Sequence, residues 1–174
     1  MGEPKALLPI GAKRLIETHI EVLFEQCSRV VVVGGALIEP LEKICRTTGA
    51  QFVNNEAWET TMPIDSLRCV LPLDLPAPWV VTPVDAPPVL FQDLARILSC
   101  KASAVLSYQG SSGHPVLLAQ SEIADLGEAL HLRDLLRGAE RVHSQNPDCL
   151  LNINHPGQWS SWLDSYLGRA KTSP

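Results

Sequence analysis

The chain has 174 residues, 45% of them hydrophobic and 19% charged, and its 14 Lys and Arg against 19 Asp and Glu give a formal net charge of -5. Length and apolar content predict one soluble domain spanning residues 1–174 with a substantial core, and argue against disorder. The acidic balance argues against nucleic acid as a partner, and the most apolar run, Val30–Ile38, is about half the roughly 20 residues that a membrane-crossing helix needs.

Leu15, Ile16, Ile20, Leu23, Phe24 and Cys27 recur at helical spacing, with Glu17, Glu21 and Glu25 on other faces, which predicts an amphipathic helix over 14–27. Arg29–Val33 carries four valines and runs into Gly34 and Gly35. It is too short and too β-branched for a helix and predicts a buried parallel strand. Ile38, Leu41, Ile44 and Cys45 predict a second helix that stops at Gly49, and Gln51–Asn54 a second strand. Asp65 and Ser66 are placed to cap a helix through Leu67, Val70 and Leu71.

Six of the 14 prolines lie between Pro72 and Pro88, on either side of a strand predicted over Trp79–Val84. Proline cannot donate to a central ladder, so Pro83 and the pair Pro87-Pro88 predict that this strand ends in a rigid loop around Asp85. A helix over 90–98 follows, then strands over 102–108 and 115–118 joined by the turn 109–113. Leu130–Leu136 predicts a short helix, Cys149–Ile153 a last strand, and 158–167 a closing helix with Trp159, Trp162, Leu163 and Tyr166 on one face. This alternation predicts an α/β sheet with mostly parallel strands and helices on both faces. The five cysteines form no CxxC pair, which argues against a disulfide framework and a structural zinc site. With no basic stretch and apolar run at the start of the chain, they predict thiols in a reducing cytoplasm.

Ligands of such sheets lie at the carboxyl ends of strands, which singles out Asp85 and Asn154. A carboxylate fixed by prolines suits a hard cation such as magnesium, although a turn-capping Asp occupies the same position equally well. Asn154, in Asn152-Ile153-Asn154-His155-Pro156, offers a neutral oxygen to the same cation or caps the helix that follows. Lys5, between Pro4 and Pro9, is placed to reach phosphate oxygens as a point charge or is simply solvated. His114, before Pro115, is a candidate for substrate contact or proton transfer, or for a hydrogen bond at a strand start. No Gly-x-Ser-x-Gly elbow, complete P-loop or HExxH helix is present, and Gly34-Gly35 falls short of a dinucleotide fingerprint.

Taken in order, five segments resemble the MobA-like NTP transferase family, which includes molybdenum cofactor cytidylyltransferases and guanylyltransferases. Met1–Pro9 is similar to the end of its Gly-rich opening, AGxSxRMGxPKxLLP. Asn55-Glu56-Ala57-Trp58, Thr61-Met62 and Asp65–Arg68 resemble NpxWxxGMxxSLr. Val84-Asp85-Ala86-Pro87 resembles the metal-binding Asp-x-Pro, Gly113–Val116 the GHPV segment, and Leu151–Pro156 the closing LDIDTP or NxNTP motif.

The resemblance implies a three-layer nucleotide-diphospho-sugar-transferase fold of the Rossmann-like kind. It further implies Mg2+, an NTP as substrate (CTP or GTP), and transfer of NMP to a phosphorylated acceptor such as molybdopterin cofactor, with release of pyrophosphate. Position by position, Lys5 and Asp85 would be catalytic, Asp85 and Asn154 would hold the metal, and Gly2, Asn55, Ser66 and His114 would bind nucleotide or acceptor. Pro4-Lys5 and Gly113-His114-Pro115 resemble the cytidylyltransferase branch and favour CMP over GMP, whereas Asn152 and Asn154 resemble the guanylyltransferase branch. A molybdoenzyme or its chaperone is the implied macromolecular partner.

Thr61 departs from the pattern, standing where the family has Gly. The chain also opens at the Met of RMG, so the resemblance implies a longer natural protein whose first strand and most of its Gly-rich loop are not in this sequence. Without that strand Val30–Val33 and Val80–Val84 are expected to have unpaired ladder groups, each costing about 1–3 kcal/mol where buried. A non-catalytic relative that holds a cofactor intermediate or a partner enzyme is the alternative these departures support.

Overall fold

The structure, a computed structural model, describes residues 4–172. Gly2 lies outside the described residues. Lys5–Leu7 form a 3-10 turn, and a two-residue hairpin follows, β1 (Pro9–Ile10) against β2 (Lys13–Arg14), reversing at Gly11 with φ 59°. Helix α1 (Leu15–Phe24) begins where Glu17 reaches back to accept the Arg14 N–H at 2.7 Å. Strand β3 (Val31–Gly34), helix α2 (Ile38–Thr48) and strand β4 (Gln51–Asn54) form a right-sized strand-helix-strand unit whose strands pair parallel, Val31 opposite Gln51. Helix α2 ends at Gly49, whose φ of 83° an L side chain rarely adopts.

Helix α3 (Pro63–Arg68) starts earlier than expected. Pro63 opens it, and Asp65 caps it from inside the first turn by accepting the Met62 N–H at 2.8 Å. Ser66 lies within the helix and does not cap it. Strand β5 (Trp79–Val81) is shorter than the predicted 79–84 and gives way to a turn closed by Ala86 N–H donating to the Pro83 carbonyl. Helix α4 (Phe91–Leu98), strand β6 (Ala104–Tyr108) and strand β7 (Ser111–Leu118) follow. Short helices α5 (Gln120–Ala124) and α6 (Leu132–Leu135) precede strand β8 (Glu140–His143), and helix α7 (Pro156–Thr172) closes the described chain.

The α/β class with mostly parallel strands holds. The larger sheet has the order β5-β7-β6-β8, and β7 runs antiparallel to both β5 and β6 while β8 is parallel to β6. Strands β5, β6 and β8 therefore share one direction and β7 alone in this sheet opposes them, because the tight turn at Gln109-Gly110, both at positive φ, returns the chain antiparallel to β6. The predicted strand over 149–153 is absent. Pro147–Leu150 is a 3-10 turn started by Pro147 and capped by Asn146, whose side chain accepts the Asp148 N–H.

Side chains alternate across β5 and β7 as the two-residue period of a strand demands. Val80 and Leu117 pack with Leu94 and Ile97 of α4, while Trp79, Val81 and Leu118 pack with Ile64 of α3, Ile123 of α5 and Leu132 of α6. Helices thus cover both faces. Strand β3 pairs only with β4, and β5 only with β7, so no ladder joins the two sheets among the described residues. A third apolar cluster wraps the hairpin: Leu8, Ile10 and Leu15 meet Ile153, Trp159 and Trp162 of the chain's last elements. All five cysteines are free thiols, with Cys45 and Cys149 buried. Among the described residues no helix is long and apolar enough to cross a membrane.

Candidate active site

Lys5 sits in the 3-10 turn between Pro4 and Pro9, closed by Leu7 N–H to the Pro4 carbonyl and Leu8 N–H to the Lys5 carbonyl. Leu8 is buried, and its carbonyl accepts the Leu15 N–H at 2.8 Å, so the turn is tied to the first residue of α1. From this anchor the Lys5 ammonium donates to Asp85 Oδ2 at 3.0 Å and to Asn154 Oδ1 at 2.6 Å. Asp85 is fixed at the end of β5 by the Pro83–Ala86 turn and by its own carbonyl, which accepts the Ile153 N–H at 2.7 Å. That last bond brings the segment before α7 alongside the Asp85 loop.

Asn154 is not the side-chain cap of α7. Gln158 reaches back from the first turn, and its Oε1 accepts the N–H groups of both Asn154 and His155, at 2.9 and 3.1 Å. The helix start is satisfied by Gln158, and the Asn154 side-chain oxygen points instead to Lys5. The Lys5 and Asp85 side chains are 29% and 28% exposed, within reach of solvent and ligand.

His114 lies in β7 beside this site. Gly113 before it packs so closely on the 147–150 turn that a Cβ there would stand 2.0 Å from the Cys149 carbonyl oxygen. Burial pushes the His114 pKa below its ordinary value, against the opposing pull of the Asp85 charge. The imidazole is therefore neutral at pH 7, and its Nδ1 is buried without a hydrogen-bond partner among the described residues.

Asn55 and Ser66 meet each other but not the Lys5 cluster. Asn55 follows β4, its N–H bonded to the Gly34 carbonyl, at the carboxyl ends of β3 and β4. Its side-chain amide donates to Thr61 Oγ1 and Ser66 Oγ, both at 3.2 Å, and its side-chain oxygen accepts the Ala57 N–H. Thr61 thus supplies a hydroxyl that closes this network and donates onward to the Ala57 carbonyl. Trp58 of the same loop lies against Gly35, where a Cβ would come 2.2 Å from its ring.

Two contributors escaped the sequence reading. Gln158 does the capping that was open to Asn154. His19, on the buried face of α1 and 4% exposed, places Nε2 3.0 Å from the Ala86 carbonyl, one residue past Asp85. Its only signal was a lone histidine inside the apolar stripe of Leu15, Ile16 and Ile20, a pattern that reads as core.

The donor set suits magnesium. Asp85 and Asn154 aim two hard oxygens at one point, the position of a cationic nitrogen. No group of three His, Cys, Asp or Glu able to hold a metal occurs among the described residues. Few protein oxygens, with phosphates and water completing the shell, is how magnesium is usually held beside nucleotides.

The family model for the MobA-like NTP transferase domain matches residues 1–149. No curated protein gives a significant match. Among solved structures the chain is similar to a nucleotidyl transferase of Methanothermobacter thermautotroptrophicus, at 20% identity and TM-score 0.80 over 95% of this chain and 86% of that one. It is similar to Rv0371C of Mycobacterium tuberculosis H37Rv, solved in complex with manganese, at 18% identity and TM-score 0.77 over 94% and 93%. It is also similar to the CTP:phosphocholine cytidylyltransferase of Streptococcus pneumoniae, at 14% identity and TM-score 0.71 over 95% and 90%. At these identities the likeness establishes the fold.

Proposed function

Because the chain belongs to the MobA-like NTP transferase family, we propose that it transfers the nucleoside monophosphate of an NTP, CTP in preference to GTP, to a phosphorylated acceptor of the molybdopterin type. The observation that carries this reading is the convergence of Lys5, Asp85 and Asn154 at one point beside the end of β5. A cation and two oxygen donors are what phosphoryl transfer asks of a protein, since positioning and charge neutralisation do most of the work.

In the reaction an oxygen of the acceptor phosphate attacks the α-phosphorus of the NTP. A new P–O bond forms as the bond from the α-phosphorus to the bridging oxygen breaks, and pyrophosphate leaves with that electron pair. Lys5 donates to phosphate oxygens and offsets the charge that builds on the leaving group. Asp85 and Asn154 would hold magnesium, which when bound neutralises phosphate charge and orients the phosphate oxygens. His114, with Gly2, Asn55 and Ser66, would shape the nucleotide or acceptor pocket. We read residues 1–174 as one such domain acting in the cytoplasm, its product passed to a molybdoenzyme or its chaperone.

The test is pyrophosphate release by the 174-residue chain with CTP or GTP, magnesium and molybdopterin. Magnesium-dependent release that Asp85→Ala abolishes without unfolding the chain is the expected result. Normal turnover by Asp85→Ala, or no release with either nucleotide, would overturn the reading.

A further inference from the structure

The Asp85 loop is held by two successive carbonyls. The Asp85 carbonyl accepts the Ile153 N–H at 2.7 Å, and the Ala86 carbonyl lies 3.0 Å from His19 Nε2. A carbonyl only accepts, so Nε2 carries the proton and donates. Pro83, Pro87 and Pro88 restrict φ around this loop but have no N–H to anchor it. Its orientation relative to the rest of the protein comes from bonds such as these two.

His19 stands on α1, the helix to which the Lys5 turn is tied. The Leu15 N–H of α1 holds the Leu8 carbonyl, and Ala6 and Leu7, which follow Lys5 in the 3-10 turn, pack on the cluster that contains Ile16 and Ile20. One helix therefore fixes the lysine turn through its first residue and its apolar face, and the carboxylate loop through its histidine.

We propose that His19 is a positioning residue for the nucleotide-transfer site, its Nε2–H holding the Ala86 carbonyl so that the Asp85 carboxylate stays in register with Lys5 and Asn154. The proposal rests on the reading of Asp85 and Asn154 as the metal-holding pair. His19 itself touches no substrate. An apolar side chain of similar volume would fill its place but leave the Ala86 carbonyl, in a residue only 2% exposed, without its donor. The loop would then shift to recover a partner, and Asp85 would shift with it. Loss of such an outer hydrogen bond typically costs about 10–100-fold in metal affinity.

The experiment uses the full chain with two variants and readouts that need no turnover. His19→Gln keeps an amide donor at the reach of Nε2, whereas His19→Met keeps the volume and loses the donor. Binding of Mn2+ in the presence of CTP, followed by its paramagnetic resonance, is expected to weaken at least about tenfold in His19→Met and to stay within about threefold of the parent in His19→Gln. Amide exchange at Ile153, which reports on its bond to Asp85, is expected to accelerate in His19→Met alone. A folded His19→Met with parental Mn2+ binding and parental Ile153 exchange would overturn the proposal, as would a folded His19→Gln that behaves like His19→Met. If His19→Met does not fold, His19→Asn replaces it, since its amide stops short of Ala86; failure of His19→Gln to fold would assign His19 to the core and also overturn the proposal. A parent chain that binds no Mn2+ or releases no pyrophosphate counts against the transfer reaction, and Ile153 exchange then still decides whether His19 positions the loop.

Discussion

Lys5 donates to the side-chain oxygen of Asn154 at 2.6 Å, joining residues 149 positions apart, and the same ammonium pairs with Asp85 80 positions away. Three remote segments thus share one small polar site. The Lys5 turn is fixed by α1, the Asp85 loop by β5 and His19, and Asn154 by Gln158, so each side chain arrives on an anchored backbone.

Replacing Lys5 separates its two roles. Lys5→Ala is expected to lower kcat/KM for pyrophosphate release by about 100- to 1,000-fold, the usual scale for removing one donor to a developing anion. Stability is expected to change by less than about 1 kcal/mol, because a partly exposed ion pair contributes little. The same variant frees Asp85 and Asn154 from their ammonium, so Mn2+ binding without nucleotide is expected to be unchanged or tighter. Calorimetric titration beside steady-state kinetics checks both, and a loss of metal binding that parallels the loss of activity would show that Lys5 helps hold the metal.

Asn154→Asp adds a second carboxylate at the point where Asp85 already aims an oxygen. A hard cation prefers carboxylate to amide oxygen, so tighter Mn2+ binding is expected, while Asn154→Ala is expected to weaken it. Neither change should disturb the start of α7, since Gln158 caps it. Weaker Mn2+ binding in Asn154→Asp would remove Asn154 from the ligand set.

Gly113→Ala tests the close approach of β7 to the 147–150 turn. The new Cβ would stand 2.0 Å from the Cys149 carbonyl oxygen and 2.7 Å from its carbon, both backbone atoms that cannot rotate away. Overpacking of this kind costs about 1–3 kcal/mol, and each kcal/mol lowers the melting temperature of a chain this size by roughly 2–4 °C. Gly138→Ala is the control, because a Cβ there meets nothing within 4 Å. Equal melting temperatures for the two variants would refute the close approach.

What the sequence made legible was local. The four valines before Gly34-Gly35, the helix over 38–48 ending at Gly49 and the proline-bounded loop at Asp85 all carry short-range patterns, and all are present. Strand β8, Glu140–His143, escaped notice because an edge strand with one apolar residue, Val142, has little alternation to read. Cys149–Ile153 misled in the opposite sense: its apolar run looked like a strand, but Pro147 and Asn146 start a 3-10 turn there. The meeting of Lys5, Asp85 and Asn154 has no local signature at all, since chain separations of 80 and 149 are set by the fold. Family resemblance, not periodicity, linked them.

Asn55 is expected to act on stability before chemistry. It is 5% exposed, and its side chain bonds Thr61, Ser66 and the Ala57 N–H. Asn55→Ala leaves those partners short of a bond and is expected to cost about 1–3 kcal/mol, measurable as a shift in the urea midpoint. Thr61→Gly removes one of the same bonds, so the double variant should lose less than the sum of the two singles. Strict additivity would show that the Thr61 hydroxyl is not part of the network.

His19 gives the protein a calculable response to acid. Burial lowers its pKa from 6.5 to about 4, outweighing the Ala86 bond and the facing Asp85 charge, which both pull upward. The unfolded chain therefore takes up this proton first as pH falls below about 6.5, and stability declines until the folded form protonates near pH 4. The contribution is complete above about pH 6.5, amounts to about 3 kcal/mol, and is lost across that window. His19→Gln does not titrate, so its stability should fall less between pH 7 and pH 4 than the parent's, with the two curves converging or crossing in acid. Urea unfolding followed at half-unit pH intervals measures the difference, and parallel curves through this range would mean that His19 titrates alike in the folded and unfolded chain.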